Sequence, residues 1–238
     1  TVGHDYIRDA DERYDFYHTI EEKIPFDLEL LNKITKGGLP NKTLNIALAG
    51  TGVGKSLFMC HCASASLLQG KNVLYITLEM AEEKIAERID ANLLNVPIQQ
   101  LQDPLFSKAQ FRSKIDKLNK KTQGRLIIKE YPTASAHVGH FKSLINELSM
   151  KKGFSPDIIF IDYLNICSSS RYKNTIVNSY TFVKAIAEEL RGLAVEANVP
   201  IVSATQTTRS GYGSSDVDLT DTLSHIHISE PTRHGLIS

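Results

Sequence analysis

The sequence predicts an α/β fold, a parallel twisted sheet with helices on both of its faces. Three observations carry that expectation. Apolar runs such as Val73-Leu74-Tyr75-Ile76, Ile158-Ile159-Phe160-Ile161 and Ile201-Val202 show no polar alternation, as strands covered on both sides do. Segments of helical periodicity separate them, for example Phe182, Val183, Ile186, Ala187, Leu190, Leu193 and Ala194. Between the first strand and the first long helix stands Ala49-Gly50-Thr51-Gly52-Val53-Gly54-Lys55-Ser56, a glycine-rich turn in the context that wraps a phosphate.

Taken in order, residues 1–23 are charged and aromatic and have little to bury alone. They read either as a flexible leader or as a helix that docks on another protomer. From Ile24-Pro25-Phe26 the texture becomes globular. Leu28, Leu30, Leu31 and Ile34 mark a helix closed by Lys36-Gly37-Gly38-Leu39-Pro40. Thr43 to Leu48 is a strand, and Leu57 to Leu68 a helix stopping at Gly70. Val73 to Leu78 is a buried strand, Ala81 to Leu94 an amphipathic helix, and residues 95–124 hold two polar helical pieces. Leu126 to Ile128 is a short strand, Phe141 to Met150 a helix, and Ile158 to Ile161 a strand followed by a polar loop over 164–179. The helix marked by Phe182 to Ala194 then leads through Asn198-Val199-Pro200 into the strand Ile201 to Thr205.

Composition sets bounds. Acidic and basic residues balance at 27 each, so overall charge gives no support for nucleic-acid binding. Three cysteines are too few for a disulfide framework, and no apolar run reaches the roughly 18 residues of a membrane span. The polar Thr1-Val2-Gly3-His4-Asp5 does not read as a signal peptide, and a reducing cytoplasm is the simplest compartment. Cys60-His61-Cys62 are neighbours on a helix and diverge, which argues against zinc.

The chemistry gathers at strand ends, where ligands bind in such sheets. In the glycine-rich run, Gly50, Thr51, Gly52, Val53 and Gly54 bring backbone N–H groups to a phosphate, and Leu57 continues the first helical turn. Lys55 reaches the terminal phosphates of a nucleoside triphosphate, and the Ser56 hydroxyl can ligand Mg2+. Asp162 ends four apolar residues, the pattern of a carboxylate that holds the magnesium shell. Glu79 ends another strand, either as the base that orients the attacking water or as an acid at the start of the next helix. Gln206 ends the last strand, where an amide can bond the γ-phosphate and report it to the loop from Thr207 to Gly213; a plain surface loop is the alternative. Residues 168–173 are polar and basic with one aromatic, suited to a nucleic-acid backbone or simply solvated.

This order of parts resembles the RecA-like P-loop ATPase domain of hexameric replicative DNA helicases of the DnaB type, most closely their T-even-phage branch. The resemblance is carried by Lys36-Gly37-Gly38-Leu39, by Leu74 to Met80, by Ile159 to Leu164, and by Ile186 to Arg191 running on to Gln206, and spans roughly residues 24–222. It implies that Glu79 is the catalytic carboxylate, with Lys55 and Ser56 on phosphate and metal, Asp162 on the metal and Gln206 coupled to a DNA-contacting loop that includes Arg209. It implies a motor that unwinds duplex DNA, self-association into a ring with ATP sites between subunits, single-stranded DNA as a partner, and primase and a helicase loader as others. Residues 1–23 resemble the linker that docks on a neighbouring subunit. The family continues past this match to a further DNA-contacting region and an arginine finger, so the chain reads as truncated, and residues 223–238 are expected to be non-native. A RecA-like recombinase or repair ATPase and a nucleotide-gated assembly module are the alternative functions.

Overall fold

The computed structural model describes residues 3–50, 52–172 and 179–206, with the backbone alone at Ser179, Tyr180 and Gln206. Thr51, Arg209 and the proposed tail over 223–238 lie outside the described residues, as does the Gln206 side chain.

Among the described residues five strands form a parallel sheet: β3 (Leu44–Ala49), β4 (Val73–Thr77), β5 (Leu126–Glu130), β6 (Ile158–Asp162) and β7 (Ile201–Gln206). Their order in space is β3-β7-β6-β4-β5. A separate antiparallel ribbon pairs β1 (Lys23–Ile24) with β2 (Leu39–Pro40). The side-chain period of two divides the inner strands between two cores. Leu74, Ile76, Ile159, Ile161 and Ile201 face one side, packed against α7 (Val138–Lys152) and α8 (Ser179–Ala197) through Phe141, Leu144, Ile186 and Leu190. Val73, Tyr75, Ile158, Phe160, Val202 and Ala204 face the other, packed against α3 (Lys55–Leu68) and α4 (Glu82–Leu94) through Met59, Ala63, Ile85 and Ile89. Coverage on both faces is why these strands read as unbroken apolar runs.

The helices begin and end where local chemistry directs. In α6 (Lys108–Asn119) Ser107 and Gln110 form a reciprocal capping box. Helix α4 closes on Asn95 in the left-handed region, and α7 on Gly153. At the start of the polar stretch after β6, Leu164–Ile166 make a 3-10 turn, and Leu164 and Cys167 are buried. Helix α1 (Ala10–His18) buries none of its residues, and α2 (Glu29–Ile34) and α5 (Ile98–Leu101) are short connectors.

All three cysteines are buried, and burial pushes the thiols up, to about 11 at Cys60 and about 12 at Cys62 and Cys167. Cys60 and Cys62 are core packing on α3, whereas His61 between them is half-buried, with a ring nitrogen 2.6 Å from the Asp27 carboxylate.

The turn between α2 and β2 needs its glycines for different reasons. Gly37 and Gly38 have φ of +108° and +120°. A Cβ on Gly38 would stand 2.2 Å from the Ile24 carbonyl oxygen, whereas one on Gly37 would meet only the Lys23 Cδ at 4.0 Å. Gly37→Ala should therefore cost about 1–2 kcal/mol, from backbone conformation alone. Gly38→Ala should cost about 3 kcal/mol or more, because the β1–β2 ribbon must also part. Urea unfolding of the two variants checks the order; equal losses would contradict it.

Candidate functional site

The parallel register aligns the carboxyl ends of the strands. Ala49 pairs with Gln206, Thr77 with Asp162 on one side and Glu130 on the other, and Ile161 with Ser203. Beyond Ala49 the chain turns through Gly52 and Gly54, at φ of +77° and +97°, conformations that favour glycine. Gly54 is the N-cap of α3 and brings no side-chain cap. The first-turn N–H groups of that helix are thus left for an external acceptor, with the helix dipole behind them. Val53 and Leu57 turn their side chains outward, so they offer this region backbone only, and Ser56 is half-buried in the first turn.

Lys55 is the centre of the arrangement. Its side chain is 8% exposed, and Nζ lies 3.5 Å from Glu79 Oε2 and 3.6 Å from Asp162 Oδ1. Nζ also stands over the Tyr163 ring, 3.1 Å from its centroid. Burial pulls the Lys55 pKa below the usual lysine range, and the charges of Asp162 and Glu79 oppose that shift.

Asp162 is fully buried. Its Oδ2 accepts a hydrogen bond from the Tyr75 hydroxyl at 3.0 Å, while Oδ1 accepts none. The Tyr75 hydroxyl also lies 3.8 Å from the Cys60 thiol, a donor on α3. Burial, and next the charge of Asp162, hold the Tyr75 phenol well above its usual range, so it remains a donor.

Glu79 is half-exposed. It stands two residues past the end of β4 and before Ala81, the N-cap of α4, whose first-turn acids are Glu82 and Glu83. Glu79 thus stands beside Lys55 and ahead of the helix start. The turn that carries it is tied down. Thr77 Oγ1 accepts from the Met80 N–H at 3.1 Å and donates to the Met80 carbonyl at 2.8 Å. The Leu78 N–H donates to the Asp162 carbonyl, and the Thr133 hydroxyl to the Leu78 carbonyl.

The structure brings Lys55, Glu79 and Asp162 together beside the glycine turn and sets the Gln206 backbone against Ala49. Sequence reasoning missed Tyr75, Thr77 and Tyr163, which sit inside or next to the strands it identified. It also missed the anchor of the polar loop after β6. Glu189 on α8 accepts from the Ser169 hydroxyl at 2.7 Å and from the Ser170 and Arg171 N–H groups, while Arg171 pairs with Glu188 at 2.6 Å. Burial works against the Glu189 charge, but these donors outweigh it and hold the carboxyl below its usual range. Part of the basic character read in residues 168–173 is thus neutralised within the chain.

Two carboxylates against one ammonium leave the cluster net negative, and Oδ1 of Asp162 is a buried oxygen without a hydrogen bond. Oxygen donors of this kind fit a hard divalent cation such as Mg2+.

The chain is 50% identical over 221 residues to the DnaB-like replicative helicase of Enterobacteria phage T4, a match covering 92% of this chain and 46% of that protein. It thus spans about half the length of that relative. A solved DnaB-like replicative helicase, studied with its interactions with primase, superposes with a TM-score of 0.71 at 18% identity, covering 91% of this chain and 53% of that one. The ATPase domain of G40P superposes with a TM-score of 0.68 at 17% identity, covering 92% and 78%. These likenesses establish the RecA-like fold. Residues 24–225 match the DnaB-like helicase C terminal domain, and the chain belongs to that family.

Proposed function

We propose that this chain binds ATP with Mg2+ at the ends of β3, β4 and β6, hydrolyses it, and serves as the motor domain of a replicative DNA helicase. The observation that carries the reading is the buried Lys55 ammonium held between Glu79 and Asp162 directly behind the glycine turn.

The cluster is a resting arrangement that a triphosphate can exploit. A polyanion entering the glycine turn competes with the two carboxylates for Lys55, and the first-turn amides of α3 hold its oxygens. Once Lys55 turns to the phosphates, Glu79 is released to accept a proton from the attacking water. Asp162 stays in place, fixed from the strand side. The Ser56 hydroxyl and Asp162 Oδ1 are the groups that would hold Mg2+, which when bound neutralises charge on the phosphate oxygens. Gln206, level with Ala49, is the proposed reporter of phosphate, with Arg209 as its contact to single-stranded DNA.

Assembly is part of the reading. Residues 1–23 are the proposed docking segment and 24–222 the ATPase core, with 223–238 outside both. Tyr14, Phe16 and Tyr17 on and around α1 are more than 60% exposed, a surface that suits burial against a neighbouring subunit of a ring. Primase and a helicase loader are the proposed protein partners, and the cytoplasm of a bacterial or phage-infected cell is the proposed compartment. Among the described residues no helix is long and apolar enough to cross a membrane.

Three substitutions separate the roles. Lys55→Ala should abolish saturable ATP binding. Glu79→Gln should retain ATP binding but lower turnover by about 10²–10⁴-fold, the usual worth of a general base. Thr77→Val, which frees the Glu79 turn, should reduce turnover more than ATP affinity. Equilibrium ATP binding and steady-state hydrolysis with single-stranded DNA check all three; hydrolysis by Glu79→Gln at the unsubstituted rate would contradict the assignment.

A further inference from the structure

Tyr75 is an unusual member of its strand. Val73, Leu74 and Ile76 beside it are purely apolar, and Tyr75 is itself fully buried, yet it carries a hydroxyl into the core. A buried hydroxyl is costly unless bonded, so it needs a partner the apolar neighbours cannot supply. The register supplies one. Tyr75 pairs with Phe160, and Thr77 with Asp162, so Tyr75 and Asp162 lie diagonally on the same face of adjacent strands. The Tyr75 ring stacks on Phe160 at 5.9 Å with planes 12° apart, which aims the hydroxyl along the strand toward the carboxylate. The bond to Oδ2 is 3.0 Å, and the Cys60 thiol on α3 lies 3.8 Å from the Tyr75 hydroxyl oxygen.

A carboxylate on a single Cα–Cβ stem can otherwise rotate and exchange its oxygens. Here one oxygen is bonded from the sheet, and the other faces Lys55 without a hydrogen bond. We propose that Tyr75 is a positioning residue for metal–nucleotide binding, its hydroxyl holding Oδ2 of Asp162 so that Oδ1 is presented to the divalent cation. The proposal rests on the reading of Asp162 as a metal-holding group. Because α3 carries both Lys55 and Cys60, the hydroxyl also links the helix that meets the phosphates to the strand that meets the metal.

The test is Tyr75→Phe, which keeps the ring and its stacking and removes one oxygen. Binding of a fluorescent N-methylanthraniloyl derivative of ATP is titrated with Mg2+, and separately measured in excess chelator. The metal-free affinity reports that the glycine turn is intact, and it should be unchanged. The Mg2+ concentration giving half-maximal enhancement should rise about tenfold, as for loss of a group that orients a metal ligand. An unchanged Mg2+ requirement overturns the proposal. So does an equal loss with and without Mg2+, which would mark Tyr75 as packing alone. Asp162→Asn is the companion measurement. If it too leaves the Mg2+ requirement unchanged, the reading of Asp162 falls and takes Tyr75 with it. If it raises the requirement while Tyr75→Phe does not, only the role of Tyr75 falls.

Discussion

An ammonium on a side chain that is 8% exposed must be neutralised nearby, and at Lys55 two carboxylates do so, Asp162 from the end of β6 and Glu79 from the turn after β4. That contact has demanding requirements. Helix α3 must start where the glycine turn releases it, β6 must end level with β4, and the chain after β4 must turn back toward the helix. Each is met by a specific local device: the left-handed Gly54, the Thr77–Asp162 register, and the double hydrogen bond between Thr77 and Met80. The site is thus assembled from element ends, and its precision is the precision of the sheet.

The sheet is stiff for reasons visible in its two cores. Side chains of β4, β6 and β7 alternate between α3–α4 on one face and α7–α8 on the other, so none of these strands can slip by one residue without inverting its packing. Groups that hold the site in place are themselves buried. Ser203 donates to the Ile161 carbonyl, and Thr205 to the Asn165 side chain, tying β7 to β6 and the turn that follows it. The loop from Ser169 to Arg171 is pinned to α8 by Glu189, so the chain leaves β6 in a defined direction.

Much of this was legible in the sequence. A carboxylate after four apolar residues, and a glycine turn between strand and helix, are patterns whose chemistry follows from their position, so Lys55, Asp162 and Glu79 could be named before any coordinates. The order β3-β7-β6-β4-β5 could not, because a run buried on both faces says nothing about its neighbours. Tyr75 was hidden for a related reason: in an apolar run its ring accounts for its presence, and only the register shows where its hydroxyl goes. Thr77 passed for a strand residue with β propensity. The burial of Leu164 and Cys167 escaped notice because two apolar groups in a polar stretch make no periodicity. Glu79 reads from the sequence both as an acid of the helix start and as a group of the phosphate site, and its 3.5 Å approach to Lys55 is visible only in the structure.

The account's central claim is that Lys55, Glu79 and Asp162 form a resting cluster that a metal-bound triphosphate opens. The most direct measurement is a crystal structure of the chain with Mg2+ and a non-hydrolysable ATP analogue. The account predicts the phosphates in the glycine turn, Lys55 Nζ moved off Glu79 onto a terminal phosphate oxygen, and Asp162 still bonded to Tyr75 with Oδ1 toward the metal. A bound analogue with Lys55 still between the two carboxylates, or with its phosphates away from the glycine turn, would contradict it.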